Sequence, residues 1–169
     1  MSPNNHENIL IVGIGNIIMM DEGIGIYAIR ELERLNLSST VTILDAGTDI
    51  FKIMSCEKDF DTVIIVDAVQ KKDIPGTIHR MSLDEIATEP TQNNLHQISF
   101  VEALRLMKLS SSNIQNAKII LYGIEPETIT FGVGLSPLVL RSMNLLIDII
   151  LKEIENARSI ISEEHTRNS

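Results

Sequence analysis

The sequence predicts an α/β domain with a mostly parallel sheet. Short apolar runs alternate along the 169 residues with segments whose apolar side chains recur at helical spacing. Three of the runs, residues 9–13, 62–66 and 118–123, are almost entirely apolar, which is typical of parallel strands covered on both faces. Hydrophobic residues make up 44% of the chain, which is enough for one continuous core.

The predicted strands come at regular intervals along this single domain. They are residues 9–13, 41–44, 62–66, 76–81 and 118–123. The fourth strand follows Pro75 and alternates polar with apolar side chains, so we expect it at an edge of the sheet. Since there is no internal repeat and no low-complexity linker, we expect one domain over residues 1–169, with its core at about 8–157 and polar, frayed ends.

The predicted helices lie between these strands. They are residues 24–35, a weakly periodic segment at 48–56, residues 98–109, and a last helix ending near Ala157. Ser136 and Pro137 open the last helix, because serine is a good N-cap and proline is favoured at the first helical position.

Charge and composition exclude several classes of partner. The net charge is -9 and the longest basic run is Lys71-Lys72, which argues against binding to nucleic acid or to anionic membranes. A single cysteine, Cys56, allows no intramolecular disulfide. We find no signal peptide and no apolar stretch long enough to span a membrane, so we expect a cytoplasmic protein.

A glycine-rich turn follows the first strand. It reads Gly13-x-Gly15-Asn16-x-x-x-x-Asp21-Glu22 and leads into the first helix. The dinucleotide-binding motif requires a third glycine where this chain has Ile18, and the P-loop requires a lysine that residues 8–51 do not contain. The acidic pair would also repel a phosphate, so the turn suits a cation or a general base. Asp21 alone can also be explained as a helix N-cap.

Acidic and polar residues follow the predicted strands at their carboxyl ends, where open parallel sheets bind ligands. The candidates for a cleft at this edge are Asn16, Asp21, Glu22, Asp45, Asp67, Glu125 and Glu127. Any one of them can instead cap a helix or a loop.

Two carboxylates and one imidazole would make a three-ligand site for a divalent metal. Glu22 and Asp67 are the natural carboxylates, and His96 is the best placed histidine because it lies where a polar loop enters a helix. A lone histidine there can also simply pack or cap the helix. Without a thiolate this ligand set is modest for nickel or zinc, and it suits contact with a metal that another molecule holds.

Several motifs, in one order along the chain, resemble those of the nickel–iron hydrogenase maturation endopeptidases. The resemblance covers residues 8–155. The motifs are Gly13-x-Gly15-Asn16-x-x-x-x-Asp21-Glu22-Gly23-x-Gly25, Leu44-Asp45-x-Gly47-Thr48, Ile65-Val66-Asp67-Ala68, Pro75-Gly76-Thr77, His96-Gln97, Gly123-Ile124-x-Pro126-Glu127 and Gly132-x-Gly134-Leu135-Ser136.

This resemblance implies a fold, a reaction and a set of site residues. It implies a three-layer α/β/α domain with a mostly parallel, twisted sheet of about five strands. It implies removal of a C-terminal extension from the precursor of the hydrogenase large subunit, after nickel has been inserted into that precursor. The family's metal-contacting residues correspond to Glu22, Asp67 and His96, with the nickel supplied by the substrate. Aspartic-type and metal-assisted hydrolysis both remain open, and Glu125 is a secondary cleft candidate.

Two other functions remain open at this point. One is a zinc-dependent hydrolase of small peptides that uses the same three residues. The other is a nickel-recognition or escort protein that binds the precursor without cutting it.

Overall fold

The computed structural model describes residues 7–83, 85 and 95–167, with side chains described for 7–83, 85 and 100–157. Five strands form one sheet: β1 (Ile9–Ile14), β2 (Val41–Gly47), β3 (Thr62–Ala68), β4 (Ile78–Ser82) and β5 (Lys118–Ile124). The longer helices are α1 (Ile24–Glu33), α2 (Leu95–Ser110) and α3 (Pro137–Arg167). Short 3₁₀ helices span Met20–Gly23, Ile50–Ser55 and Ser112–Ile114.

The strand order in the sheet is β2-β1-β3-β5-β4. Strands β2, β1, β3 and β5 are parallel, and β4 pairs antiparallel with β5 at one edge, as the alternating sequence of this strand predicts. Because four strands are parallel, their carboxyl ends lie along one edge of the sheet. The loops that follow these four strands therefore meet there.

Apolar side chains cover both faces of the sheet. On one face, α1 and α3 pack against alternate residues of the strands, among them Ile11 and Ile64. On the other face, the intervening residues such as Val12 and Ile65 pack against α2 and the 3₁₀ helix Ile50–Ser55. This double coverage confirms the predicted three-layer α/β/α arrangement and explains why the central strands are almost entirely apolar.

Helix α1 begins directly against the carboxyl ends of two strands. A Cβ atom on Gly25 would lie 2.1 Å from the backbone oxygen of Ile14 and 2.2 Å from that of Val66. Gly15 has a φ of 146°, and a Cβ atom there would lie 2.1 Å from the backbone oxygen of Glu22. Only glycine fits at these two positions, so the glycines of the turn bring the Met20–Gly23 segment against the end of the sheet.

One predicted α-helix is a different kind of helix in the structure. Residues 48–56 were expected to form an α-helix, but the segment is the 3₁₀ helix Ile50–Ser55, in which only Ile50 and Ile53 are buried. A spacing of three residues fits the three residues per turn of a 3₁₀ helix, which explains the weak α-helical periodicity.

Ser136 caps α3 as predicted, since its Oγ accepts from the backbone N–H of Val139 at 3.4 Å.

The carboxyl-terminal end of α3 was predicted ten residues too early. The helix continues past Ala157 to Arg167, because no glycine or proline interrupts this stretch. Among the described residues no helix, including this one of 31 residues, is both long and apolar enough to cross a bilayer.

The strands also extend further at their carboxyl ends than the apolar pattern indicates. Strand β2 continues to Gly47, three residues beyond its predicted end, and β3 continues two residues to Ala68. The added residues are polar or small, yet they still pair with neighbouring strands: Asp45 lies opposite Gly13, and Asp67 opposite Gly123. These extensions place the predicted acidic residues on the sheet itself.

Candidate functional site

Asp67 and Glu22 lie together at the carboxyl edge of the sheet. Asp67 is the second-last residue of β3, at the centre of the sheet, where it is partly buried. Glu22 belongs to the 3₁₀ helix Met20–Gly23, which packs against β3. The positions that sequence analysis selected on two different elements are therefore brought close enough for their charges to interact.

Burial and a neighbouring charge shift the pKa of Asp67. The pKa of this carboxyl group is raised from 3.8 to about 7, and loss of hydration is the largest cause. The backbone N–H of Ala68 donates to Asp67 Oδ1 at 2.8 Å and opposes the shift, whereas the negative charge of Glu22 adds to it. Near neutral pH, Asp67 can therefore both release and accept a proton, as a general acid or base must.

The negative charge of Glu22 contributes to the raised pKa of Asp67, and a mutation of Glu22 can remove this contribution. We predict that Glu22→Gln lowers the pKa of Asp67 but leaves it above 3.8, because burial is the larger cause. Titration of the Asp67 carboxyl carbon by NMR measures this directly. Asp45→Asn is the matched control, since it removes an exposed charge from the same edge and is expected to leave the Asp67 titration unchanged. An unchanged pKa in Glu22→Gln would show that the two charges do not interact.

The third predicted metal contact is His96. Its backbone lies in the first turn of α2, and its side chain lies outside the described residues. Among the side chains that the structure describes, no group of three His, Cys, Asp or Glu residues could hold a metal ion. The described part of the site is thus a pair of carboxylates, Glu22 and Asp67, which are hard oxygen donors.

Asp21 is placed differently from the cleft position that we expected. Its side chain is 0% exposed, and Oδ2 accepts from the backbone N–H groups of Glu127 at 3.0 Å and Thr128 at 2.8 Å. Oδ1 accepts from the backbone N–H of Ser136 at 2.7 Å. Asp21 is also not the N-cap of α1, because Gly23 holds that position. Its carboxylate instead joins the turn after β1 to the loop after β5 and to the start of α3.

Glu125 is also buried, with 5% of its surface exposed. Its carboxylate accepts from the backbone N–H groups of Lys71 at 2.8 Å and Lys72 at 3.2 Å, and His79 Nε2 lies 3.8 Å from Oε2. Glu125 therefore holds the loop that follows β3. Its side chain also forms one wall of a cavity of 270 Å³ beside this loop, and neither Glu22 nor Asp67 lines this cavity.

Sequence analysis selected Glu127 at this cavity but not Gln70, Lys72 or Ile129. Gln70, Lys72 and Ile129 line it together with Pro126 and Glu127. Lys72 has a φ of 61°, a conformation that its residue type does not indicate. The sequence carries no signal for this wall, because bonds from Glu125, more than 50 residues away, determine the shape of the loop.

Asn16 and Asp45 both shape the loops at this edge. Asn16 Oδ1 accepts from the backbone N–H of Ile18 at 3.2 Å, and Asp45 Oδ1 accepts from that of Gly47 at 2.9 Å. Both contacts are local turns in which the side chain bonds the backbone two residues ahead. Asp45 is exposed, so its carboxylate still faces solvent at the edge of the sheet.

Comparison with known proteins assigns this chain to a family. The model of the HycI family, described as hydrogenase maturation protease, matches residues 26–153. The hydrogenase 2 maturation protease of Escherichia coli K12 is 34% identical over 134 residues, which cover 78% of this chain and 80% of that protein. The hydrogenase expression/formation protein HupD of Thiocapsa roseopersicina is 32% identical over 148 residues, which cover 85% of this chain but only 66% of that relative.

A solved structure has the same fold. The hydrogenase maturating endopeptidase HybD from E. coli superimposes with a TM-score of 0.76 and 28% sequence identity, covering 89% of this chain and 93% of that one. Both the family model and the curated relatives span most of the α/β domain. The chain therefore belongs to the hydrogenase maturation protease family.

Proposed function

We propose that this protein is an endopeptidase that removes the C-terminal extension from the nickel-loaded precursor of a nickel–iron hydrogenase large subunit. The observation that carries the proposal is the pair formed by Asp67 and Glu22. A carboxyl group with a pKa of about 7, beside a second carboxylate, lies at the ligand-binding edge of a parallel sheet. Family membership supplies the class of substrate.

Nickel enters this reaction as part of the substrate. Glu22 and Asp67 supply two oxygen donors, and His96, in the first turn of α2, supplies the nitrogen donor. Such a set without a thiolate binds nickel only modestly, so it suits a metal that the precursor already holds. Contact between the nickel and these side chains then fixes which peptide bond lies in the cleft, which makes cleavage dependent on prior nickel insertion.

Hydrolysis adds one water molecule across the scissile peptide bond. The water oxygen bonds the carbonyl carbon, the carbon–nitrogen bond breaks, and the nitrogen leaves as an amine after taking up a proton. Asp67 in its ionised form can accept the proton from the water and deliver it to the nitrogen. The nickel of the substrate can equally polarise this water, and Asp67 then serves as a metal contact.

Mass spectrometry of a large-subunit precursor tests the proposal. The purified protein is mixed with the precursor from the same source, once loaded with nickel and once without. We expect a C-terminal peptide to be lost only from the nickel-loaded form. Cleavage of both forms would retain the endopeptidase and reject nickel as the gate. Tight binding without loss of mass would replace the endopeptidase with an escort protein, and stoichiometric zinc in the purified protein would favour a zinc hydrolase.

A further inference from the structure

Four exposed apolar side chains lie together on the two loops beside the candidate site. Phe131 is 81% exposed and Val133 78%, while Ile18 and Ile129 are 46% and 37% exposed. We call these four residues the apolar rim. The loops are adjacent because the backbone N–H of Gly132, between Phe131 and Val133, donates to the Ile18 carbonyl at 2.9 Å. Large apolar side chains gathered at one place on a surface are typical of an interaction site.

The apolar rim is held in a fixed position. Asp21 bonds the loop at Glu127, at Thr128 and at Ser136, on both sides of the exposed residues. The backbone N–H of Met20 donates to the Gly132 carbonyl at 3.2 Å, and that of Gly134 donates to the Tyr27 hydroxyl at 3.0 Å. The loop cannot bury Phe131 and Val133 by folding inward without losing these bonds. A surface fixed in this way binds a partner at a lower cost in conformational entropy.

The charges around the apolar rim define the chemistry of its partner. Residues 7–29 and 119–140, which contain both loops, include no lysine and no arginine. Two acidic groups are close to the rim in the sequence, since Glu22 follows Ile18 by four residues and Glu127 precedes Ile129 by two. Lys72, which lines one cavity together with Ile129, is the basic exception. A complementary partner therefore presents apolar side chains with basic residues beside them.

We propose that the apolar rim binds a segment of the hydrogenase large-subunit precursor that carries apolar side chains flanked by basic ones, while the extension occupies the cleft at Glu22 and Asp67. This inference rests on the proposed function. The rim adjoins Glu22, because Ile18 and Glu22 lie on one turn, in which the backbone N–H of Glu22 donates to the Met19 carbonyl. Binding at the rim would add affinity for the precursor without taking part in the chemistry.

The double variant Phe131→Ser/Val133→Ser tests the rim. Both side chains are about four-fifths exposed, so the variant is expected to fold as the unmodified protein does. We expect its KM for the nickel-loaded precursor to rise about tenfold or more, since it loses the burial of two apolar side chains on binding. We expect kcat to remain unchanged, because interactions made equally in the ground state and the transition state affect KM alone.

Leu109→Ser/Leu145→Ser is the matched control. These leucines are 84% and 60% exposed, and they lie on α2 and α3 away from the two loops. The control is expected to keep the KM of the unmodified protein, and Phe131→Leu/Val133→Leu is expected to restore most of the affinity. An equal KM in the rim variant and the control would overturn the role of the rim while leaving the endopeptidase intact.

The same variants separate this inference from the proposed function. If the unmodified protein binds the precursor without cutting it, the dissociation constant replaces KM as the readout, and the same tenfold loss is expected in the rim variant. If the unmodified protein neither cuts nor binds the precursor, the proposed function fails and the inference fails with it.

Discussion

Replacing Asp67 by asparagine is expected to abolish processing of the precursor and to stabilise the folded protein above neutral pH. The amide keeps an oxygen that can accept from the backbone N–H of Ala68, so the strand is expected to keep its local geometry. It can neither accept a proton nor contact a metal as a charged ligand. Loss of a general base lowers kcat by about 10²- to 10⁴-fold, which mass spectrometry of the precursor measures directly.

The stability effect follows from the raised pKa of Asp67. Between pH 3.8 and about 7, the folded protein holds this proton while the unfolded chain releases it. The contribution of Asp67 to the free energy of unfolding therefore decreases as pH rises through this window, and above it the cost stays constant. Asparagine removes this cost. We expect a gain of about 1–2 kcal/mol at pH 8, since each pKa unit corresponds to about 1.4 kcal/mol and local relaxation reduces the full shift. The gain should shrink towards zero near pH 4.

Asp148→Asn is the control for both effects. Asp148 is exposed on the outer surface of α3, so its replacement is expected to leave processing and the pH dependence of stability unchanged. Full cleavage of the precursor by Asp67→Asn would exclude Asp67 from the reaction. Equal denaturation curves for Asp67→Asn and the unmodified protein at pH 8 would show that the carboxyl group is well hydrated in the folded state.

The sequence predicts the sheet well because its central strands are buried on both faces. Continuous apolar runs such as residues 62–66 leave few alternatives, and all five predicted strands are present. The predictions fail at the carboxyl ends, where Asp45 and Asp67 interrupt the apolar pattern. At these positions the backbone still pairs with a neighbouring strand, but the side chain is acidic and does not belong to the apolar core. Hydrophobic pattern alone therefore shortens strands where they approach the candidate site.

The proximity of Glu22 to Asp67 could be predicted, because parallel topology brings the loops after β1 and β3 to one edge. The different placements of Asp21 and Glu22 could not. The two residues are adjacent and both acidic, and their order in the chain does not show which one points inward. The partners of Asp21 lie 106 to 115 residues away and are backbone N–H groups, which leave no mark on the sequence. Only the three-dimensional structure shows that the carboxylate of Asp21 is buried and bonded to the loop, whereas that of Glu22 is partly exposed.

Replacing Asp21 by alanine is expected to destabilise the protein severely. The substitution leaves the backbone N–H groups of Glu127, Thr128 and Ser136 without the carboxylate that accepts from them. Hydrogen bonds to a charged group contribute about 1.5–3 kcal/mol each, and a buried donor without a partner costs about as much. We expect a loss of about 4 kcal/mol in the free energy of unfolding, measured by chemical denaturation, which is a large part of the stability of a typical domain.

Glu22→Ala is the matched control, because it makes a similar change at the next residue. Glu22→Ala is expected to lose processing of the precursor but to keep most of its free energy of unfolding. Asp21→Ala is expected to lose a large part of its free energy of unfolding. Hydrogen exchange shows whether the lost stability comes from the loop. In Asp21→Asn, the amides of Glu127, Thr128 and Ser136 should exchange faster than in Glu22→Ala. Asparagine keeps one acceptor oxygen but loses the negative charge that strengthens these hydrogen bonds. Equal exchange rates and equal stabilities in Asp21→Asn and Glu22→Ala would show that Asp21 does not hold the loop. The expected contrast would separate two adjacent acids by function: Asp21 would fix the loop, and Glu22 would serve the proposed reaction.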